Sequence, residues 1–372
     1  MAGMGSSDAG AGSVSAPLVR RIHEAIAAAR GWIGFDRYMA MALYEPGLGY
    51  YARGNRQFGT MPSSGSDFVT APELTPVFGA TLAVQVRQAL EACGSGTVWE
   101  FGAGSGALAG QLLEALGDAC TGYRIVDLSG TLRERQQQHL ARHAPKVQWL
   151  DVLPDSLDGV IVGNEVLDAM PVQLLHFDGT AWLERGVVRQ GDGCGWGDRP
   201  THLRPPETAI ASALPGAVTE RHTHAEAWVR TLAEHVGRGA AFFIDYGFPE
   251  REYHHAQRHG GTLMCHRGHR ADTDPLADPG EKDITAHVDW SAIALAAQDA
   301  GWDVIGYTTQ AHFLLNCGIT GRLAEADVRT RAAAQVLLSE HEMGELFKVL
   351  ALARGVSFDP VGFVRGDRMH TL

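Results

Sequence analysis

Four residues in a short stretch could do chemistry together. Within TVWEFGAGSGALAGQLLEAL, residues 97–116, an acid, Glu100, stands two places before the first of three alternate glycines, Gly102, Gly104 and Gly106. Glycine lets a chain reverse sharply and lets a ligand approach the backbone, because it carries no Cβ. Such a turn aims the first N–H groups of the following helix at whatever is bound, which makes a nucleotide-like ligand the first hypothesis. Gly104, Gly106 and Ala109 also fit the GxGxxA form of the dinucleotide fingerprint, so a nicotinamide enzyme stays open. Glu100 favours a different ligand. S-adenosylmethionine brings an ammonium and a sulfonium to this place, whereas a pyrophosphate would bring negative charge towards the acid.

Further acids fall at positions where a nucleotide-binding α/β unit uses them. Asp127 ends a second strand 25 residues after Gly102 (127 minus 102), where such a unit places the acid that accepts from a ribose diol. Asp151 ends a third strand and is a candidate for the adenine side. A fourth apolar strand, 160–162, delivers Asn164, Glu165 and Asp168 at its carboxyl end, the end at which open α/β sheets bind ligands. Helix capping is the alternative role for Asp127, Glu165 and Asp168. In SGSDFVTAPELTPVFG, residues 64–79, Asp67 and Glu73 lie on a proline-stiffened loop leading into a helix. The histidines at 254, 255, 259, 266 and 269 have no HExxH pattern or cysteine partner, so no metal is expected.

The elements that must position these residues follow from periodicity. Helical spacing predicts helices over 17–30, 35–44, about 75–90, 219–236, 287–300 and 321–341. Apolar runs predict strands near 98–101, 123–126, 147–150, 160–162, in AAFFIDYG ending at Asp245, Tyr246 and Gly247, at 302–308 and at 347–355. The tyrosines at 44, 50 and 51 suggest a pinned surface loop. Strand and helix alternation breaks over 172–216, where Asp178-Gly179 and Asp192-Gly193 signal β-hairpins. The expected fold is α/β, a doubly wound, seven-stranded, Rossmann-like sheet. Its expected organisation is a disordered tail at 1–16, an N-terminal helical cover with an active-site loop at 17–92, a core at 93–171 and 217–372, and a hairpin insertion at 172–216.

Composition bounds the partners. The 372 residues are 45% hydrophobic and 20% charged, a globular balance with material for a full core. A net charge of −12 argues against nucleic acid and suits a cationic substrate. The five cysteines are widely spaced without a CxxC, which points to a reducing compartment. No run approaches the roughly 20 apolar residues of a membrane helix. No basic and apolar start of a signal peptide is seen, so a cytoplasmic location is expected.

Seven ordered segments carry a resemblance: FDRYMAMALYEPGLGYY, GSDFVTAPELTPVFG, WEFGAGSG, GNEVLDAMPV, FIDYG, DPLADPGEKDITAHVD and GELFKVLALARG. With them the chain resembles the MidA family of S-adenosylmethionine-dependent methyltransferases across most of residues 17–355. Departures are Ala103, Ser105 and Ala107 in the glycine turn and Asp127 where a glutamate is common. The resemblance implies a class I methyltransferase fold and S-adenosyl-L-methionine as cofactor, with S-adenosyl-L-homocysteine as product. Glu100, Gly102, Gly104, Gly106, Asp127, Leu128, Asp151, Val152 and Asn164 would hold it. By analogy with the eukaryotic member, it implies methylation of an exposed arginine in a protein, a respiratory complex I subunit. A guanidinium is hard to methylate because it is protonated and delocalised, and carboxylates that grip its fork can localise the charge. Glu165 with Asn164 is the expected orienting pair, with Glu73 or Asp67 as partner and Asp168 and Tyr246 on the substrate. A nicotinamide-dependent oxidoreductase and a non-catalytic assembly factor are the alternatives. A homodimer is open.

Overall fold

In a computed structural model, the structure describes residues 14–52, 69–127, 130–267 and 270–372. Asp67, Leu128 and most of the 1–16 tail lie outside the described residues.

A mixed α/β sheet, largely parallel, forms the centre. Its main path has the strands β1 (Thr97–Phe101), β2 (Gly122–Val126), β3 (Val147–Leu150), β4 (Gly159–Asn164), β5 (Gly239–Phe248), β6 (Asp303–Thr309) and β7 (Phe347–Arg354), in the spatial order β6-β7-β5-β4-β1-β2-β3. An eighth, two-residue strand, Val288–Asp289, pairs in parallel with the end of β5. The pairs from β3 to β5 are parallel, and β7 runs antiparallel to both β5 and β6.

The apolar runs that mark these strands reflect burial on both faces, which removes the polar alternation of a one-sided sheet. Val98, Val160, Val162, Phe242 and Ile244 pack into one core with helices α4 (Val77–Cys93) and α5 (Ala107–Leu116). Their neighbours Trp99, Phe101, Ile161, Ala241 and Phe243 pack into another with the helices Thr223–His235 and Trp290–Asp299. A third core joins α1 (Ser15–Ala28) and α2 (Phe35–Tyr44) to the second sheet through Leu18, Ile22, Phe35, Tyr38 and Val187.

That second sheet is larger than one hairpin. Segment 172–216 supplies Gln173–Phe177, Trp182–Gln190 and Gly193–Pro200, and Val218–Arg221 and Ile33–Gly34 complete five strands. The helix expected from 219 therefore starts at Thr223, because Val218–Arg221 pairs with Gln173–Phe177. The helix expected over 321–341 is two, Ile319–Glu325 and Val328–Leu338, with Asp327 capping the second through the Thr330 N–H at 2.7 Å. The histidine-rich segment contains a three-stranded sheet of Met264–Arg267, Arg270–Asp272 and Asp283–Thr285. Strands of three or four residues are too short to print an alternation in the sequence.

Candidate active site

A cavity of about 1120 Å³ opens at the carboxyl ends of β1 to β5. The parallel direction of these strands collects their terminal residues at one edge, so Phe101, Val126, Asn164 and Tyr246 all line it.

The glycine turn forms one wall. Gly102, Gly104 and Gly106 take φ of +64°, +53° and +84°, and Gly106 is the left-handed residue that starts α5. Glu100 lies beneath them, 2% exposed, and accepts from the Tyr123 hydroxyl at 2.6 Å. Burial pushes its carboxyl up to about 7, and the nearby Asp127 adds to the rise while the Tyr123 hydrogen bond opposes it. Asp127 accepts from the Gln136 amide at 2.9 Å. The same Gln136 nitrogen donates to the Gly104 carbonyl at 3.0 Å, and its oxygen accepts from Trp149 at 2.9 Å. One buried glutamine thus ties the ribose candidate to the turn and to β3. Asp151 and Val152 line the far side, Asp151 in an ion pair with Arg133.

Glu73 faces the turn. It sits in a short helix, α3 (Ala71–Leu74), and accepts from the Ser105 hydroxyl, so the cavity lining holds it on the glycine side. Glu165 lies with other acids. It follows β4 with a left-handed φ of +53°, its N–H bonded to the Ile244 carbonyl at 2.8 Å, and its carboxylate accepts from the Asn164 amide at 3.0 Å. Burial, the charge of Asp168 and the more distant Asp283 raise the Glu165 carboxyl to about 8. Asp168 is 5% exposed and accepts from the Tyr246 hydroxyl at 2.6 Å. Burial raises it to about 6 although that hydrogen bond pulls it down.

Asp245 holds the turn that carries these acids. Its Oδ2 accepts from the backbone N–H groups of Val166, Leu167 and Asp168 at 3.1, 2.9 and 3.2 Å, and its Oδ1 from that of Tyr246 at 2.9 Å. Opposite stand Tyr44 and Tyr51, stacked with centroids 5.7 Å apart, donating to the Ala169 carbonyl at 2.8 Å and to Asp283 at 3.0 Å. Of the three tyrosines expected to pin a surface loop, Tyr44 and Tyr51 therefore line the cavity and Tyr50 is buried in the third core. Asp278 is outside the lining and pairs with Arg267 at 3.4 Å. Gln136, Ser105, Tyr44, Tyr51 and Asp283 had no local signature as site residues. Only the aromatic clustering of the tyrosines hinted at a role.

Among the described residues, the cavity lining contains eight carboxylates, Glu73, Glu100, Asp127, Asp151, Glu165, Asp168, Asp283 and Glu342, and no lysine or arginine. A dinucleotide pyrophosphate would meet Glu100 and Asp127 without a lining cation to offset the repulsion, whereas a sulfonium and an ammonium are attracted. The buried Asn164 Oδ1 has no partner, an acceptor waiting for a donor, and the S-adenosylmethionine ammonium has three. Among the described residues, no three His, Cys, Asp or Glu side chains are placed to hold a metal ion, and no helix is long and apolar enough to cross a membrane.

A glycine turn over a buried acid, a ribose acid one strand away and acids beyond the reacting position define an S-adenosylmethionine-dependent methyltransferase. Residues 81–308 match the family described as "Putative S-adenosyl-L-methionine-dependent methyltransferase", and the chain belongs to it. A protein from Burkholderia thailandensis, solved bound to S-adenosyl-homocysteine, is 52% identical, with 96% of this chain and 97% of that one covered at a TM-score of 0.92. The mitochondrial "Protein arginine methyltransferase NDUFAF7 homolog" of Caenorhabditis elegans is 26% identical over 87% of this chain and 83% of its own. The NDUFAF7 of Danio rerio is 27% identical over 87% and 84%. These findings agree with the MidA resemblance and disfavour both the nicotinamide enzyme and the non-catalytic assembly factor.

Proposed function

We propose that this methyltransferase acts on the guanidinium of an arginine in a protein substrate. The observation that carries the reading is the cluster of acids in the cavity beyond the glycine turn, where Glu165, Asp168 and Asp283 stand among Tyr44, Tyr51 and Tyr246. The relatives named as protein arginine methyltransferases support it. The sheet order β3-β2-β1-β4-β5-β7-β6 and helices on both faces support reading the fold as the doubly wound class I methyltransferase core. On that reading 93–171 and 217–372 form the core, 17–92 its cover and 172–216 an insertion.

When bound, S-adenosylmethionine supplies an electrophilic methyl group on a sulfonium. Glu100, Gly102, Gly104, Gly106, Asp127, Asp151, Val152 and Asn164 are the residues that would hold it. Glu165 and Asp168 then do the work on the acceptor. With the Glu165 carboxyl at about 8, much of it is protonated near neutrality while the site is empty. An arriving guanidinium stabilises the carboxylate and drives that proton off. The paired charges then concentrate the positive charge on the gripped nitrogens, leaving the third with more of its lone pair for attack, and the proton this nitrogen sheds on gaining the methyl group passes to Glu165 or Asp168. Asn164 and Asp245 keep Glu165 and Asp168 in place, and orientation supplies most of the rate gain in such an in-line displacement.

The test is to incubate the purified protein with methyl-labelled S-adenosylmethionine and an extract from cells lacking the enzyme, and to map the label by mass spectrometry. Label on arginine, reduced about a hundredfold in Glu165→Gln, supports the reading. Label on another residue type, or none, overturns it.

A further inference from the structure

One wall of the cavity is built by two short strands whose alternation is visible in their register. Met264–Arg267 and Asp283–Thr285 run antiparallel, pairing Met264 with Thr285, Cys265 with Ile284 and His266 with Asp283. Side chains alternate across a strand. Cys265 and Ile284 accordingly turn into the third core, while Met264, His266, Asp283 and Thr285 line the cavity. The backbone fixes this wall to the catalytic turn, since the Ala286 N–H donates to the Asp168 carbonyl at 3.0 Å.

Asp283 is 3% exposed, and its Oδ1 accepts from the Tyr51 hydroxyl at 3.0 Å. Its charge is close enough to raise both Glu165 and Tyr44. The polar atoms around it are short of donors. Thr285, 2% exposed, and Asp168, 5% exposed, each keep a buried oxygen, Oγ1 and Oδ1, without a partner. A buried acceptor left unpaired is costly. A donor-only ligand with several N–H groups would relieve that cost, and a guanidinium has five donors and no acceptor.

We propose that Asp283, oriented by Tyr51, is the specificity residue of the acceptor subsite, holding the acceptor cation together with Glu165. The role deepens the arginine reading and rests on it. Two carboxylates in one cavity select a forked cation, and the Tyr44–Tyr51 stack offers it an aromatic surface. Asp283 is not among the groups that shift Glu100 beneath the glycine turn, so its neutralisation leaves the cofactor end of the cavity as it was.

The test uses the full chain saturated with S-adenosyl-homocysteine and titrated by NMR with N-acetyl-arginine methylamide. Wild-type protein binds the probe. Asp283→Asn keeps S-adenosyl-homocysteine affinity within about twofold and weakens the probe about tenfold, the effect of losing one charge-assisted hydrogen bond. Tyr51→Phe, which keeps the ring and removes only the hydroxyl, weakens it about threefold. This second variant decides the matter if Asp283→Asn fails to fold. Probe affinities equal to wild type in the folded variants overturn the role of Asp283 and leave the arginine reading standing. A wild-type complex that holds S-adenosyl-homocysteine yet ignores the probe overturns the arginine reading itself.

Discussion

The Gln136 amide donates to the Asp127 carboxylate at 2.9 Å, so the acid placed for the ribose is itself held by a fully buried glutamine. Because the same nitrogen also reaches the Gly104 carbonyl, one side chain sets the separation of the turn and the acid. Gln136→Leu keeps the volume and removes both contacts, together with the acceptor of the Trp149 N–H. Its S-adenosyl-homocysteine affinity should fall about tenfold, the cost of one badly replaced buried hydrogen bond. Calorimetric titration measures it, and an unchanged affinity would show that Asp127 needs no such support.

Gly102 and Gly106 both have positive φ, yet they should not respond alike to alanine. A Cβ on Gly106 finds its nearest neighbours at 3.6 Å, an ordinary contact, whereas on Gly102 it meets Val166 Cγ2 at 3.0 Å. Gly106→Ala therefore costs about 1 kcal/mol from the left-handed backbone alone. Gly102→Ala costs more, because Val166 must also move. Denaturant melts of the two variants rank them, and the reverse order would contradict the geometry.

Asp245 is an acid whose work is structural. Removing it leaves the backbone N–H groups of Val166, Leu167, Asp168 and Tyr246 without their carboxylate acceptor. Asp245→Ala should lose on the order of 3 kcal/mol of stability and misplace Glu165 and Asp168. The readout is a urea midpoint together with methyl transfer. A variant with normal stability and poor transfer would instead put Asp245 in direct contact with the acceptor.

The raised Glu165 carboxyl gives stability a pH dependence of known sign. An unfolded glutamate titrates near about 4.3, and the folded one at about 8. Between these values the native state binds more protons than the unfolded state, so stability falls as pH rises. Glu100, raised to about 7, acts in the same direction. Glu165→Gln removes the larger contribution, and its unfolding free energy should exceed that of wild type by a margin that grows from pH 5 to pH 8 by on the order of 3 kcal/mol. A margin that stays constant with pH would mean that Glu165 is ionised throughout in the native protein.

Much of the central sheet was legible because its physics is local. The runs around Val98, Ile161 and Phe243 are apolar at successive positions, as strands covered on both faces require, and turn glycines and strand-terminal acids follow at short range. The cofactor end of the site could be read for the same reason: Glu100, Gly102, Gly104, Gly106 and Asp127 lie within one strand–helix–strand unit. The helix over 321–341 was read as continuous because its apolar spacing persists, and the capping chemistry of Asp327 that divides it is a single-residue signal. Val218–Arg221 became a strand because Gln173–Phe177 offered it an edge to pair with, something no local window contains.

The sequence by itself narrowed the cofactor to two classes and named most of the acids of the site, since both depend on residue type and near spacing. Only the tertiary structure decided how those acids are shared out. It set Glu73 against Ser105 at the glycine turn, made Asp245 a backbone cap, and brought Asp283 and Tyr51 to the cavity of Glu165 from segments more than a hundred residues apart in the chain. The reason is physical. Which carboxylate is buried, hydrogen-bonded or left facing a like charge depends on what packs around it, and long-range packing is not carried by the order of neighbours along the chain.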